Sequence, residues 1–238
     1  ADSPYDLVEH QRHYPYDVSY YKGKFYTYYG VAPALTLFLP VRVLLGVHVP
    51  MNFAAWLLGV LAIGVQVWLV WRVISTHLPR TPRGYYYGAA LALAFAVPIP
   101  YEMTSAAFYQ VAILSCQLWL SLALAAAYLA QEQERRRWWC VAVSVCLVMA
   151  VASRPPAAAI AACGLVFVLW QWRRLGWRVI TACTTVMAAG AAGLMWYNYA
   201  RFKSVVEFGL HYVPLWFDPV LYPRALMPYT IRLNAWMY

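Results

Sequence analysis

Six stretches without a single charged residue dominate the chain: 43–71, 84–101, 103–131, 138–153, 155–172 and 179–200. A helix needs about 20 apolar residues to cross the hydrocarbon core of a bilayer, with ~17–25 usual. Three of the six stretches exceed 20 residues, two have 18 and one has 16. Of the 238 residues, 63% are hydrophobic and only 11% are charged, against roughly a quarter charged in an ordinary soluble domain. This excludes a soluble globular enzyme, a disordered chain and a disulfide scaffold. The net charge of +9 would suit a phosphate-rich partner. The basic residues stand at the ends of the apolar stretches instead, so nucleic acid is not an expected partner and the lipid bilayer is.

The arginines set the expected orientation. Three short loops carry Arg72, Arg80 and Arg83, then Arg135, Arg136 and Arg137, then Arg173, Arg174 and Arg178. Of the two loops between them, 98–105 has no basic residue and the other has Arg154 alone. Basic residues concentrate on the cytoplasmic side of membrane proteins, so the three Arg-rich loops are expected inside. Segments 1–34 and 201–238 are then expected on the extracytoplasmic side of a cytoplasmic (inner) membrane. Trp68, Trp71, Trp138, Trp139, Trp170, Trp172 and Trp177 cluster at the inner ends, as an interfacial aromatic belt does.

Expected spans run at roughly 51–71, 84–98, 106–130, 138–153, 156–172 and 179–200. All five cysteines fall inside them without CxxC spacing, which suits apolar packing. Residues 33–46 are apolar but interrupted by Pro40 and Arg42, and are expected as a helix lying in the outer interface. Before them, strand-forming residues flank Lys22-Gly23 from 17 to 29, which predicts a short hairpin. The organisation expected is a first extracytoplasmic loop over 1–34, a transmembrane region over 35–200, and an extracytoplasmic loop or further region from 201 to 238. Residues 1–5 show no signal-peptide pattern, so the chain is expected to be an internal piece of a longer membrane protein.

The spans contain no Asp, Glu, Lys or Arg. Ion-coupled transporters keep ionisable residues at membrane depth, so a pump is not expected. Ionisable residues gather at the expected outer face instead, among them Asp2, Asp6, Glu9, His10, His13, Asp17, Glu102, Arg154, Arg201, Lys203 and Glu207. Any chemistry belongs there. His10 and His13 have i, i+3 spacing but no clear third ligand, and no metal site is assigned.

Asp17–Ala34 reads DVSYYKGKFYTYYGVAPA. It resembles the first-loop signature of bacterial membrane glycosyltransferases of the GT-C type, relatives of the protein mannosyltransferases, of the form D-x-S-x-Y-x-G-K-x-Y-x-Y-x-G-x-A-P. Two further echoes follow in order. Ala152-Ser153-Arg154-Pro155 resembles the family's small-residue-then-Arg-Pro at the outer end of a span. Tyr197-Asn198-Tyr199-Ala200-Arg201-Phe202, with Phe208-Gly209 after it, resembles its Y-N-x-x-R-F…F-G exit from a later span.

The resemblance implies an all-α polytopic membrane protein, a GT-C-like bundle with six spans here, an interfacial helix and a small extracytoplasmic β-hairpin. It implies transfer of a sugar from a polyprenyl-phosphate carrier to a glycan, lipid or protein acceptor at the outer surface. An acidic residue of the first outer loop would act as general base or metal ligand, here Asp17 or Asp6. Basic residues near the membrane would hold the donor phosphate, here Arg154 and Arg201. Tyr21, Tyr26 and Tyr28 would contact sugar or acceptor. No cofactor is assigned, and the resemblance leaves room for a divalent metal. Inverting sugar transfer needs a carboxylate to take the acceptor proton and positive charge on the leaving phosphate, which an Arg fork fits better than Lys.

The chain departs from the family in two places. The usual acidic residue follows a first span, which is expected upstream of Ala1, so that residue is expected either upstream of Ala1 or at Asp2 or Asp6, and Gln110 stands where some relatives carry Glu. Each candidate also has a structural reading: Asp17 capping the hairpin or pairing with Lys24, the arginines snorkelling to lipid headgroups, the tyrosines packing. A non-enzymatic alternative is a lipid-linked-oligosaccharide transporter or scaffold. A polysaccharide polymerase or ligase is a third.

Overall fold

The computed structural model describes residues 18–27, 30–96, 99–104, 108–132, 136–209 and 212. These residues are mostly helical, with one two-stranded sheet. In order, the elements are β1 (Ser19–Tyr21), β2 (Lys24–Tyr26), α1 (Leu39–Leu45, entered through a π-helical turn at Ala34–Phe38), α2 (Met51–His77), α3 (Arg83–Ala96), α4 (Ile99–Met103), α5 (Phe108–Glu132), α6 (Arg136–Ser153), α7 (Ala158–Leu175, entered through a 3₁₀ turn at Pro155–Ala157) and α8 (Trp177–Phe202). Among the described residues, three helices are long and apolar enough to cross a membrane: α2, α5 and α8. The apolar parts of α6 and α7 are shorter. Where one span was expected over 84–98, α3 covers Arg83–Ala96, and residues 97–98 lie outside the described residues.

The chain forms two compact units, Ala1–Tyr28 with Asn198–Tyr238, and Tyr29–Tyr197. In the first, β1 and β2 pair antiparallel with Ser19 opposite Tyr26 and Tyr21 opposite Lys24. Lys22 (φ 48°) and Gly23 (φ 78°) both take left-handed backbone, as a tight two-residue hairpin turn of type I′ requires. A two-stranded hairpin is marginal alone. Here Phe202 supplies the missing core: it is buried, and the rings of Tyr21, Tyr26 and Tyr212 lie 5.8, 5.5 and 5.5 Å from its centroid.

In the second unit, α5 is the central helix. Ala54, Ala55, Leu58 and Ala62 of α2 pack on Val111, Leu114 and Leu118 on one side of it. On the other, Ala123, Ala126 and Ala130 meet Cys140, Val143, Cys146 and Leu147 of α6. Lipid tails are as apolar as leucine, so helices in a bilayer associate through close packing of small residues and through polar contacts between helices. Both appear. Gln66 Nε2 of α2 donates to Ser121 Oγ of α5 at 3.0 Å, and Ser115 of α5 bonds Ser153 of α6 at 2.9 Å. Four of the five cysteines are buried and Cys163 is exposed, so the expectation of packing cysteines holds for four.

The short apolar helix α1 follows from its prolines. Pro40 has no N–H to return to Thr36, and its ring would collide with that carbonyl in a regular helix. The chain widens to a π-turn just before it, with Leu39 N–H reaching Ala34 O. Gly46, at φ 71°, closes the helix, and Arg42 Nη1 donates to the Gly46 carbonyl at 2.6 Å. Leu35, Leu39, Val43, Leu44 and Leu45 are exposed. A large exposed apolar face of this kind marks a surface that meets lipid or another protein.

Candidate functional site

Arg154 stands at the end of α6, and its neighbour decides its conformation. Pro155 disfavours helical geometry in the preceding residue, and Arg154 is extended at φ −144°, ψ 117°. The helix therefore stops at Ser153. Pro155 and Pro156 then occupy the first turn of the next element, where a missing N–H costs nothing. The Arg154 guanidinium lies over the Tyr109 ring at 4.6 Å from its centroid, and Nη2 donates to the Tyr109 hydroxyl at 3.1 Å. Of its five N–H donors, the described residues accept from one. Arg154 lines an open groove of about 300 Å³, with Ile113, Cys116 and Gln117 of α5 on one side and Pro156, Ala157 and Ile160 on the other. A cation at an apolar groove suits an anion carried on a hydrocarbon body.

The residues before Arg154 are clamped from the first-loop motif. Gly30 N–H donates to Ser153 O at 3.1 Å, and a Cβ at Gly30 would collide with the Ala152 carbonyl. Ala32 and Ala150 are fully buried. The Ser153 hydroxyl is buried as well and meets both Ser115 Oγ and the Met149 carbonyl. Parts of two of the three sequence motifs, Gly30–Pro33 and Ala152–Pro155, are thus bonded to each other.

In the first unit, described parts of the first and third motifs meet. The Ser19 hydroxyl, fully buried, donates to Gly209 O at 2.7 Å. Gly209, at φ 96°, has space only for hydrogen where Ser19 Oγ and the Phe202 ring lie. Its N–H donates to Glu207 Oε1 at 2.6 Å. Arg201 Nη1 donates to Thr27 O at 2.8 Å and Nη2 to Asn198 Oδ1 at 3.1 Å. The Asn198 side chain, 1% exposed, donates onward to Val205 O at 3.3 Å. Burial pushes the Tyr212 hydroxyl pKa up, and the neighbouring Tyr21 and Glu207 add to the shift.

Of the residues singled out by sequence, Arg154 lies on the groove. The Arg201 guanidinium donates to a backbone carbonyl and to an asparagine, with the Phe202 ring 4.8 Å from its carbon. Tyr21 and Tyr26 pack their rings on Phe202. Asp6, Asp17 and Tyr28 lie outside the described residues. Gln110 Oε1 and Glu102 Oε2 are buried without a hydrogen-bond partner among the described residues. Among those residues no group of three or more His, Cys, Asp or Glu could hold a metal ion. Sequence reading missed Tyr109 as the partner of Arg154. A tyrosine at an apolar helix start carries no signal beyond packing, and only the fold sets it beside an arginine 45 residues away.

Compared with protein families, curated proteins and solved structures, the chain shows no match.

Proposed function

We propose that this chain belongs to a membrane glycosyltransferase that moves a sugar from a polyprenyl-phosphate carrier to an acceptor at the outer face of the membrane. In this reading six helices cross the bilayer in a GT-C-like bundle, with the Arg-rich loops inside and α1 in the outer interface. Arg154 binds the donor phosphate, and Asp17 or Asp6 takes the acceptor proton. The observation that supports it most is the Arg154 groove: one guanidinium, from which the described residues accept a single hydrogen bond, beside an apolar slot between helices. A phosphate on a long hydrocarbon chain has that shape and charge. The joining of the first-loop segment to the Arg154 turn adds to it, because those segments carry the family resemblance.

The test is titration of the purified protein with a polyprenyl-phosphate sugar. A charge-assisted contact to phosphate is worth roughly 1.5–3 kcal/mol, so Arg154→Ala weakens donor binding by about tenfold to a hundredfold. Arg154→Lys restores the charge without the fork and rescues in part. Equal affinity for the wild type, Lys and Ala proteins would remove Arg154 from the phosphate and the reading with it.

A further inference from the structure

We propose that Tyr109 is the positioning residue of the Arg154 site: its ring and hydroxyl hold the guanidinium ready for the phosphate of a lipid-borne ligand. The inference rests on the reading of Arg154 as phosphate-binding.

Two contacts reach Arg154 from one side chain, the hydroxyl at 3.1 Å and the ring face at 4.6 Å. A free arginine side chain samples many rotamers and loses that freedom when an anion freezes it, at the expense of affinity. Two contacts to one rigid ring remove the freedom beforehand. The chemistry of the holder matters as much. A carboxylate in this place would neutralise the guanidinium. A phenol and its π face attract the cation and leave its full charge for an incoming anion. Tyr109 does not itself line the groove, whereas Arg154 does. Its effect on a ligand therefore runs through Arg154. Its place in the first turn of α5 fixes it further, because α5 is the helix that packs on both α2 and α6.

The experiment titrates the purified full chain in detergent with farnesyl phosphate, a short polyprenyl monophosphate. The variants are Tyr109→Phe, Tyr109→Leu, Arg154→Ala, and the Phe and Ala changes combined. Thermal unfolding of each is measured alongside, and affinities refer to folded protein. Tyr109→Phe keeps the ring and loses the hydrogen bond, and weakens binding about threefold to fivefold. Tyr109→Leu loses both contacts and weakens it about tenfold. In the Arg154→Ala background, Tyr109→Phe changes nothing further, which marks a residue acting through another. The Phe variant preserves shape and carries the test if the Leu variant does not fold. If Arg154→Ala weakens binding while both Tyr109 variants bind like wild type, the positioning role is overturned and the phosphate reading stands. Additive losses in the combined variant also overturn it, because Tyr109 would then touch the ligand itself. Unchanged binding in Arg154→Ala overturns both.

Discussion

Gly30 and Ser153 are joined main chain to main chain, amide to carbonyl at 3.1 Å, with the Ala152 carbonyl filling the space that a side chain on residue 30 would need. The bond lies one residue before Arg154, so the first-loop segment holds the turn that carries the guanidinium. This gives the glycine of the first motif a physical requirement: no other residue fits so close to a backbone.

Gly30→Ala therefore has no flexible neighbour to push aside. Overpacking of this kind costs about 1–3 kcal/mol, and a lowered thermal unfolding midpoint in detergent is the expected result. Gly64→Ala in α2 is the control, because nothing lies within 4 Å of a Cβ there. Alanine is the better helix former by about 1 kcal/mol, so that variant unfolds at or above the wild-type temperature.

Ser19→Ala leaves the buried Gly209 carbonyl without the Ser19 donor. The expected loss is about 1–3 kcal/mol. Gly209→Ala is worse, combining left-handed backbone strain of roughly 1–2 kcal/mol with overlap onto Ser19 and Phe202. Denaturant unfolding that ranks the two variants in the opposite order would contradict the tight joint between the hairpin and the segment after α8.

Single cysteines at Ser75 and Lys203 test orientation. With Cys163, the exposed native cysteine, first replaced by serine, Ser75→Cys is expected to label only from the cytoplasmic side. Lys203→Cys is expected to label only from outside. Labelling of both from one side would overturn the arrangement drawn from the arginine asymmetry.

If Asp17 is the base of the proposed sugar transfer, Asp17→Asn abolishes that transfer while the protein still inserts and binds the proposed lipid donor. A loss of activity that merely follows a loss of folded protein would assign Asp17 to the hairpin's structure instead.

The elements with a local cause were legible in the sequence. Lys22-Gly23 marked the hairpin turn, Pro155 the end of α6, and the uncharged runs the long helices. Helix ends were less so: α2 continues to His77, six residues past the expected end of its span, because a helix does not have to stop at the edge of the hydrocarbon. It stops at Leu78, whose backbone leaves the helical region before Pro79. Arg154 was legible as a candidate because a lone arginine between apolar runs has few neighbours to explain it. The acceptors of Arg201 were not. One is the Thr27 carbonyl, and a backbone carbonyl leaves no trace in the residue types. The same holds for the Gly30 joint, where both partners are main chain.

That joint also imposes an order of events during synthesis. Its two halves are separated by well over a hundred residues of chain, and the docking place for Gly30 does not exist until the end of α6 has been made. At about 5–20 residues per second, residues 30–33 wait on the order of ten seconds for their partner, with the apolar α1 emerging beside them in the meantime. The clamp is thus a mid-synthesis event: it can close only after α2 to α6 exist, and before α7 and α8 are made.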